Sequence, residues 1–400
     1  MVAEVIFIAS VVVLVYTYIA YPALVYVLSL LFGRNVRTAN ITPRVSVIIA
    51  ARNEERDIAA KLENTLALEY PNDRLEIIVA SDCSTDQTDA IVRSFAARGV
   101  ILHQPLVRLG KTAAQSQAVR VSSGDILVFS DATTRLSPSA LNRIVRGFAD
   151  PEVGCIAGQL DYTDPADSEI GMGCRKYWNW EKQIRLCESR LGSLIGVSGC
   201  FYAVRRTCFR NLSGDMIDDF AIASEIHLQG LRTVYDPEAL AMEYTHQHAD
   251  QEFNMRVRII EQSLNALRHY SKPLSRRWDL FRFQLVSHKW LRYLAPVFLV
   301  AAFFSNLLLV KDGALYTTSL FGMLLLYSSA LAGWRMDRLH RRMGPLMFPY
   351  YFVLANVAAG VALVKFAGGN SRAVWEPVRD KVEPSTPARE PSLCVESQDS

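Results

Sequence analysis

Three segments of this chain place carboxylates directly after short apolar runs. They are Arg52-Asn53-Glu54-Glu55, Asp82-Cys83-Ser84-Thr85-Asp86 and Asp131-Ala132-Thr133. Carboxylate oxygens hold hard divalent cations and accept hydrogen bonds from donor-rich ligands. Each segment alone also suits a plain helix start: Ser84 or Thr85 would cap a helix whose first turn holds Asp86. Three acidic ends on one edge go beyond capping. Together they suit a site for a divalent cation, a ribose and a base.

The elements that must position them follow from pattern. Val45–Ala51, Leu75–Ser81, Val100–His103 and Ile126–Ser130 are short apolar runs. Helical stretches from Asn53 to Leu68, Thr85 to Ala97 and Lys111 to Val121 separate them. Apolar strands alternating with helices predict an α/β fold: a mostly parallel sheet with helices on both faces. Ligands then bind outside the carboxyl ends of the strands, where the acidic segments fall. Two other phosphate-binding patterns fail. Gly110-Lys111-Thr112 resembles the end of a P-loop, but Pro105 stands where that motif needs glycine. No GxGxxG follows a strand, so a dinucleotide oxidoreductase is excluded as well.

The flanks are apolar. Val5 to Phe32 carries no charged side chain, longer than the roughly 20 residues a helix needs to cross a bilayer. A secretory signal would have a basic start and a shorter apolar centre, so this run reads as an uncleaved anchor, with Pro22 as a kink point. Tyr293–Val310, Ala314–Trp334 and Leu346–Val364 are three further uncharged runs. Arg34, Arg37 and Arg44 follow the first run, and Arg335, Arg338, Arg341 and Arg342 separate the last two. Arginine excess marks the cytosolic side, so four spans with a cytosolic middle are expected. The tail then falls outside, unless the last segment is re-entrant. Ser275–Arg292 mixes aromatic and basic residues as an interfacial amphipathic helix would.

Composition agrees. Half of the 400 residues are hydrophobic, and the mean hydropathy is +0.12. A net charge of +3 without a basic cluster argues against nucleic-acid binding. The seven cysteines show neither a CxxC pair nor zinc spacing, and read as reduced thiols.

These residues resemble the family 2 glycosyltransferases, with the GT-A nucleotide-sugar-binding fold. The matching stretches are VSVIIAARNEE (45–55), IIVASDCSTDQTDAI (77–91), GKTAAQSQAV (110–119), GDILVFSDATT (124–134), GVSGCFYAVRR (196–206) and DDFAIASEIHLQGLRTVYDPEA (218–239). The flanking helices resemble the membrane-integrated branch that includes cellulose, hyaluronan and poly-N-acetylglucosamine synthases. The resemblance implies that Asn53 and Glu54 lie by the nucleotide, Asp82 contacts the base and Asp86 braces its loop. It places Lys111 near the donor and Asp131 as the first aspartate of the DxD element that holds Mg2+ or Mn2+. Asp219, in Asp218-Asp219, matches the catalytic base, and Gly199 the acceptor site. Two departures stand out. Thr133 replaces the second DxD aspartate, so either the metal is held more weakly or another ligand helps, for which His246 and His248 are candidates. Met255 to Ile259 keeps Arg258 of the QxxRW element but has Met for Gln and Ile for Trp. Arg256 and Arg258 could still clamp a diphosphate. Trp178 and Trp180 could stack on an acceptor sugar, or pack on the sheet or the membrane interface.

The expectation is an inverting, metal-dependent transferase of a membrane, the bacterial inner membrane in a bacterium. It would move a sugar from a UDP- or GDP-linked donor to a lipid-linked or growing glycan acceptor. Polysaccharide synthesis and single-sugar transfer to a lipid both stay open, as do an export partner and an oligomer. The competing class is a non-catalytic membrane scaffold of an export complex with a degenerate GT-A fold. A transporter is disfavoured, because the spans lack charges and repeats. The domain reading is 1–33 as the first span, 44–270 as the cytosolic catalytic domain, 271–292 as the interface helix, 293–366 as three spans and 367–400 as a largely disordered tail.

Overall fold

The computed structural model describes residues 1–163, 169–212, 216–245, 248–275 and 279–369. Its centre is an eight-stranded sheet among the described residues. The strands are β1 (Val45–Ala51), β2 (Leu75–Ser81), β3 (Val100–His103), β4 (Ile126–Asp131), β5 (Arg135–Leu136), β6 (Val153–Thr163), β7 (Phe201–Arg205) and β8 (Arg232–Tyr244). Their order is β3-β2-β1-β4-β7-β6-β8-β5. β3, β2, β1 and β4 run parallel, and β6 and β8 run parallel to each other. β7 is antiparallel to both β4 and β6, and β5 is antiparallel to β8.

Every residue of β1 is buried, which is why it reads as one unbroken apolar run. Val45, Val47 and Ile49 face the helices that carry Ile58, Leu62, Leu141 and Ile144. Ile48, with Ile78, Leu127 and Phe129, faces the helix that carries Phe220, Ala221 and Ile222. Two helices start later than their patterns predict, at Ile58 and Thr88. The cause is local: Asn53 and Cys83 adopt left-handed φ values of 52° and 55°. Such residues turn the chain sharply out of each strand before a helix can begin. Asn53 then accepts the amide of Thr85 at 2.7 Å, so the two turns latch together.

Among the described residues, four helices are long and apolar enough to cross a membrane: Val2–Phe32, Leu280–Leu309, Ala314–Arg338 and Gly344–Ala367. The first carries a π turn at Tyr16–Ala20, just before Pro22. Proline lacks an N–H and crowds the carbonyl four residues back, so the ladder widens there. The amphipathic segment differs from its expectation. The helix Ala249–Ser275 runs through residues 271–275. Leu280 onward is continuous with the second span, and Phe281 and Leu285 join the domain core. Residues 276–278 and the tail from 370 lie outside the described residues.

The spans are fastened to the sheet domain. Ala358, Ala359 and Ala362 of the last helix share a core with Leu264 and Leu267. Tyr21 and Val25 of the first pack on Ile184 and Cys187 of the helix Glu169–Leu191. A buried polar chain ties three elements together. The Tyr21 hydroxyl donates to Glu188, and His288 Nδ1 lies 2.8 Å from the same carboxylate. His288 Nε2 is 3.0 Å from Glu181, which Arg292 meets at 2.8 Å. Removing one partner from such a chain leaves a buried polar group unsatisfied, at about 1–3 kcal/mol. Tyr21→Phe should therefore lower the unfolding temperature of the detergent-solubilised protein by a few degrees. An unchanged temperature would mean that this chain does not anchor the first span.

Candidate active site

The chain leaves β1 toward β2 and β3 on one side, then returns to β4 on the other. β1 and β4 are thus the point where the strand order reverses, and crevices form outside the carboxyl ends there. A cavity of about 900 Å3 opens at that point. Asp131 closes β4 on its wall. β7 pairs antiparallel with β4, setting Phe201 opposite Ser130, so Gly199 and Cys200 arrive beside Asp131. Asp218 and Asp219 begin the helix Asp218–Leu228 on the facing wall.

Lys111 holds these walls together. Gly110, at φ 86°, opens the helix Lys111–Val121 and aims its first side chain into the cavity. The ammonium lies 2.7 Å from Asp131, 3.8 Å from Asp218 and 3.2 Å from the Gly199 carbonyl. Burial works against its charge, but Asp131 and Asp218 outweigh this and raise its pKa, so it stays an ammonium. Asp219 behaves oppositely. Burial and the neighbouring Asp218 push its carboxyl up to about 7, against the pull of Lys111. A carboxyl near neutrality can both take and release a proton. Gly199 has no room for a side chain: a Cβ there would sit 2.4 Å from Asp219 Oδ1 and 3.2 Å from Lys111 Nζ.

Of the other expected residues, Glu54, Trp178, Trp180, Arg256 and Arg258 also line the cavity. Asp131 and Asp219 both act on the Arg258 guanidinium, whose pKa burial lowers. Arg256 departs from its expected role as a diphosphate clamp. It pairs with Glu252 at 2.8 Å, donates to the Tyr351 hydroxyl and lies 4.8 Å from the Tyr177 ring centroid. It therefore joins the domain to the last span. Trp178 rests on Tyr162 and Arg185, and Trp180 on Arg292, so both tryptophans pack while showing an edge to the cavity.

Asp82 does not line the cavity. It is 1 % exposed, and its two oxygens accept the amides of Leu109 and Gly110 at 2.8 and 3.0 Å. A buried carboxylate must find donors, and here they are the loop that delivers Lys111. Asn53 likewise spends its side chain on Thr85. Asp86 braces the same turns: it accepts from Glu55 and Thr88. Burial opposes its charge, yet these bonds hold its carboxyl below the usual range.

A cation at Asp131 would find hard oxygens from that carboxylate and from Thr133 on the same wall. Among the described residues, no three His, Cys, Asp or Glu side chains stand close enough to hold a metal alone. His246 lies outside the described residues, and His248 does not line the cavity. The donor set therefore fits Mg2+ or Mn2+ only where a ligand adds oxygens of its own.

Three site residues escaped sequence reasoning. Lys61 is fully buried and donates to Ser130 Oγ and the Thr134 carbonyl, both at 2.8 Å, fixing the turn that carries Asp131. Glu243 accepts from Thr134 on the cavity wall. Lys289, from the second span, projects beside Gly196 and the Asp219 backbone. Lys61 alone left a local signal: it falls in the apolar stripe of Ile58, Leu62 and Thr65.

Comparison with known proteins agrees with this geometry. Residues 46–213 match the model of the Glycosyl transferase family 2 family. A probable glycosyltransferase of Bacillus subtilis (strain 168) is 30% identical over 204 residues, 46% of this chain and 46% of its own. A beta-monoglucosyldiacylglycerol synthase of Nostoc sp. (strain PCC 7120) is 28% identical over 202 residues, 46% of this chain and 42% of its own. The chain thus spans less than half the length of these curated relatives. A mannosyltransferase of Pyrobaculum calidifontis, solved with GDP-Man and Mn2+, superposes with a TM-score of 0.68 at 23% identity, covering 90% of this chain and 99% of that one. That likeness is one of fold. The sheet order, the cavity at its reversal point and these matches converge: residues 46–213 match the Glycosyl transferase family 2 model, and the fold is like that of the Pyrobaculum enzyme.

Proposed function

We propose that this protein moves a sugar from a nucleotide-sugar donor to a lipid-linked or growing glycan acceptor at the membrane surface, with inversion. One observation carries the reading. The cavity that holds Lys111, Asp131 and Asp219 is also lined by Tyr18, Tyr293, Phe352 and Ala359, which belong to three of the apolar helices. A soluble donor can enter at the sheet edge while an acceptor reaches the same point from the bilayer.

Lys111 and Arg258 hold the donor diphosphate, as cations suit phosphate oxygens. Asp131 and Thr133 would hold a divalent cation, which would supply charge neutralisation for a departing diphosphate. Asp219 takes the proton from the acceptor hydroxyl as its oxygen bonds to the sugar carbon. The bond from that carbon to the diphosphate oxygen breaks, and its electron pair leaves with the nucleoside diphosphate. A direct displacement of this kind inverts the carbon. Trp178 and Trp180 border the space an acceptor sugar would take. The Mn2+ and GDP-Man of the Pyrobaculum structure and the glycolipid product in the Nostoc protein's name support this donor, metal and acceptor class.

Charge placement supports a cytosolic reaction. Arg34 donates its amide to Arg190 and Arg338 meets Asp250 at 3.3 Å, so both arginine-rich loops lie against the sheet domain. Lys311-Asp312-Gly313 lies at the opposite ends of the spans. The side rich in arginine faces the cytosol. The intact ionic cluster also speaks against a non-catalytic scaffold, which would have no use for a buried carboxylate held near neutrality.

A screen of UDP- and GDP-sugars for nucleoside diphosphate release by membranes carrying the protein tests the reading. At least one donor should turn over in Mg2+ or Mn2+; none turning over would favour the scaffold. Asp219→Asn should cut turnover about 10^2- to 10^4-fold while calorimetry still registers donor binding. Gly199→Ala should also cost about 10^2-fold in turnover, because its Cβ displaces the Asp219 carboxylate; wild-type rates would refute that positioning. Asp219 works only when deprotonated, so kcat/KM should fall as pH drops below about 7. A profile flat down to pH 5 would exclude Asp219 as the base.

A further inference from the structure

Resting on the reading above, we infer that Glu243 is a positioning residue of the metal site. It takes the hydroxyl proton of Thr133, so that Thr133 presents bare lone pairs where the second aspartate of a DxD element would stand.

Register brings the two segments together. β5 pairs antiparallel with β8, setting Arg135 opposite Met242 and Leu136 opposite Ala241. One step further along, Thr134 falls opposite Glu243. The Thr134 hydroxyl donates to Glu243 Oε2 at 2.5 Å, and the Thr133 side chain hydrogen-bonds the same carboxylate. The two threonines differ in what else they face. Thr134 is fully buried, whereas Thr133 lines the reaction cavity with Asp131 and Glu243. The turn between them has little freedom to rearrange. Lys61 donates to Ser130 Oγ and to the Thr134 carbonyl, both at 2.8 Å. Arg135 donates to the Ala132 carbonyl at 2.9 Å.

A hydroxyl carries one proton and two acceptor lone pairs, while an ionised carboxylate only accepts. In the bond between them the threonine must therefore be the donor. With its proton given to Glu243, the Thr133 oxygen has only lone pairs left for the cavity. Hard divalent cations take such oxygens. A carboxylate behind a ligand also makes that ligand more basic. Thr133 and Glu243 together thus do the work of one aspartate: an oxygen toward the cation and a negative charge close behind it. The surrounding charges favour the same role. Lys61 attracts the Glu243 carboxylate and Asp131 repels it. The hydrogen bonds of Lys61 go to Ser130 and Thr134, and Lys111 pairs with Asp131 and Asp218. Two carboxylates on one wall are favoured in their charged forms by a further cation beside them. An acceptor needed only to close the turn could be a neutral amide oxygen; the charge is what a cation site requires.

The test measures the Mn2+ affinity of the full-length, detergent-solubilised protein by electron paramagnetic resonance. GDP or UDP is present, and each nucleotide alone is the blank. Glu243→Gln keeps an acceptor oxygen and removes the charge, and it should weaken Mn2+ binding about 10- to 100-fold. Thr133→Val keeps the shape and removes the oxygen, and it should weaken binding to a similar degree. Thr133→Asp, placed in the Glu243→Gln protein, should recover most of that loss, because it sets a carboxylate directly at the second position. A merely structural role for Glu243 would allow no such rescue. Wild-type Mn2+ affinity in Glu243→Gln would overturn the inference, even if the unfolding temperature fell. Wild-type affinity in Thr133→Val, or no recovery with Thr133→Asp, would overturn it too. Should Glu243→Gln fail to fold, Thr133→Val on the cavity wall decides alone. Mn2+ binding indifferent to both residues would sink only this inference. No Mn2+ binding by the wild-type protein with either nucleotide would sink the metal-dependent donor reading, and this inference with it.

Discussion

Buried carboxylates share a small space only with a cation or a proton between them, and the cation paired with Asp131 and Asp218 is Lys111. Its ammonium meets Asp131 at 2.7 Å and Asp218 at 3.8 Å, so residues from the end of β4 and the start of a distant helix can stand together. Much of the surrounding architecture serves that placement. Asp82 spends its carboxylate on the loop before Lys111. Gly110 supplies the left-handed turn that starts the helix. Lys61 pins the turn that carries Asp131. Gly199 leaves the space into which Asp219 projects. Burial and Asp218 drive the Asp219 carboxyl toward neutrality.

The second constraint is attachment. The polar chain from Tyr21 through Glu188 and His288 to Glu181 and Arg292 binds the first and second spans to one helix of the sheet domain. Arg256 and Tyr351 do the same for the last span. Buried ionic groups of this kind contribute little net stability beside apolar residues, but breaking one is costly. They therefore fix geometry. The consequence is a cavity lined in part by three of the apolar helices.

Much of this was legible in the sequence, and the rest was hidden for physical reasons. β1, β2 and β3 have the predicted bounds and β4 gains only Asp131; the central strands β1 and β4 are buried on both faces and so print as unbroken apolar runs. The helix Lys111–Val121 is also as expected. The right half of the sheet was not legible, because β7 inserts between β4 and β6 from far along the chain. Asp131, Asp219, Lys111 and Gly199 do share one cavity. Asp82 and Asn53 serve the loops instead, since sequence types a residue without saying which oxygen is already taken. Lys289 was read as part of an interfacial helix, because nothing local tells a lysine facing lipid head groups from one facing a cavity.

The most direct measurement is a cryo-EM map of the protein in nanodiscs with UDP or GDP and Mn2+. The account predicts one diphosphate at the carboxyl ends of β1 and β4, touching Lys111 and Arg258 and close to Asp131. A nucleotide bound elsewhere, or a diphosphate remote from Asp131 and Asp219, would contradict it.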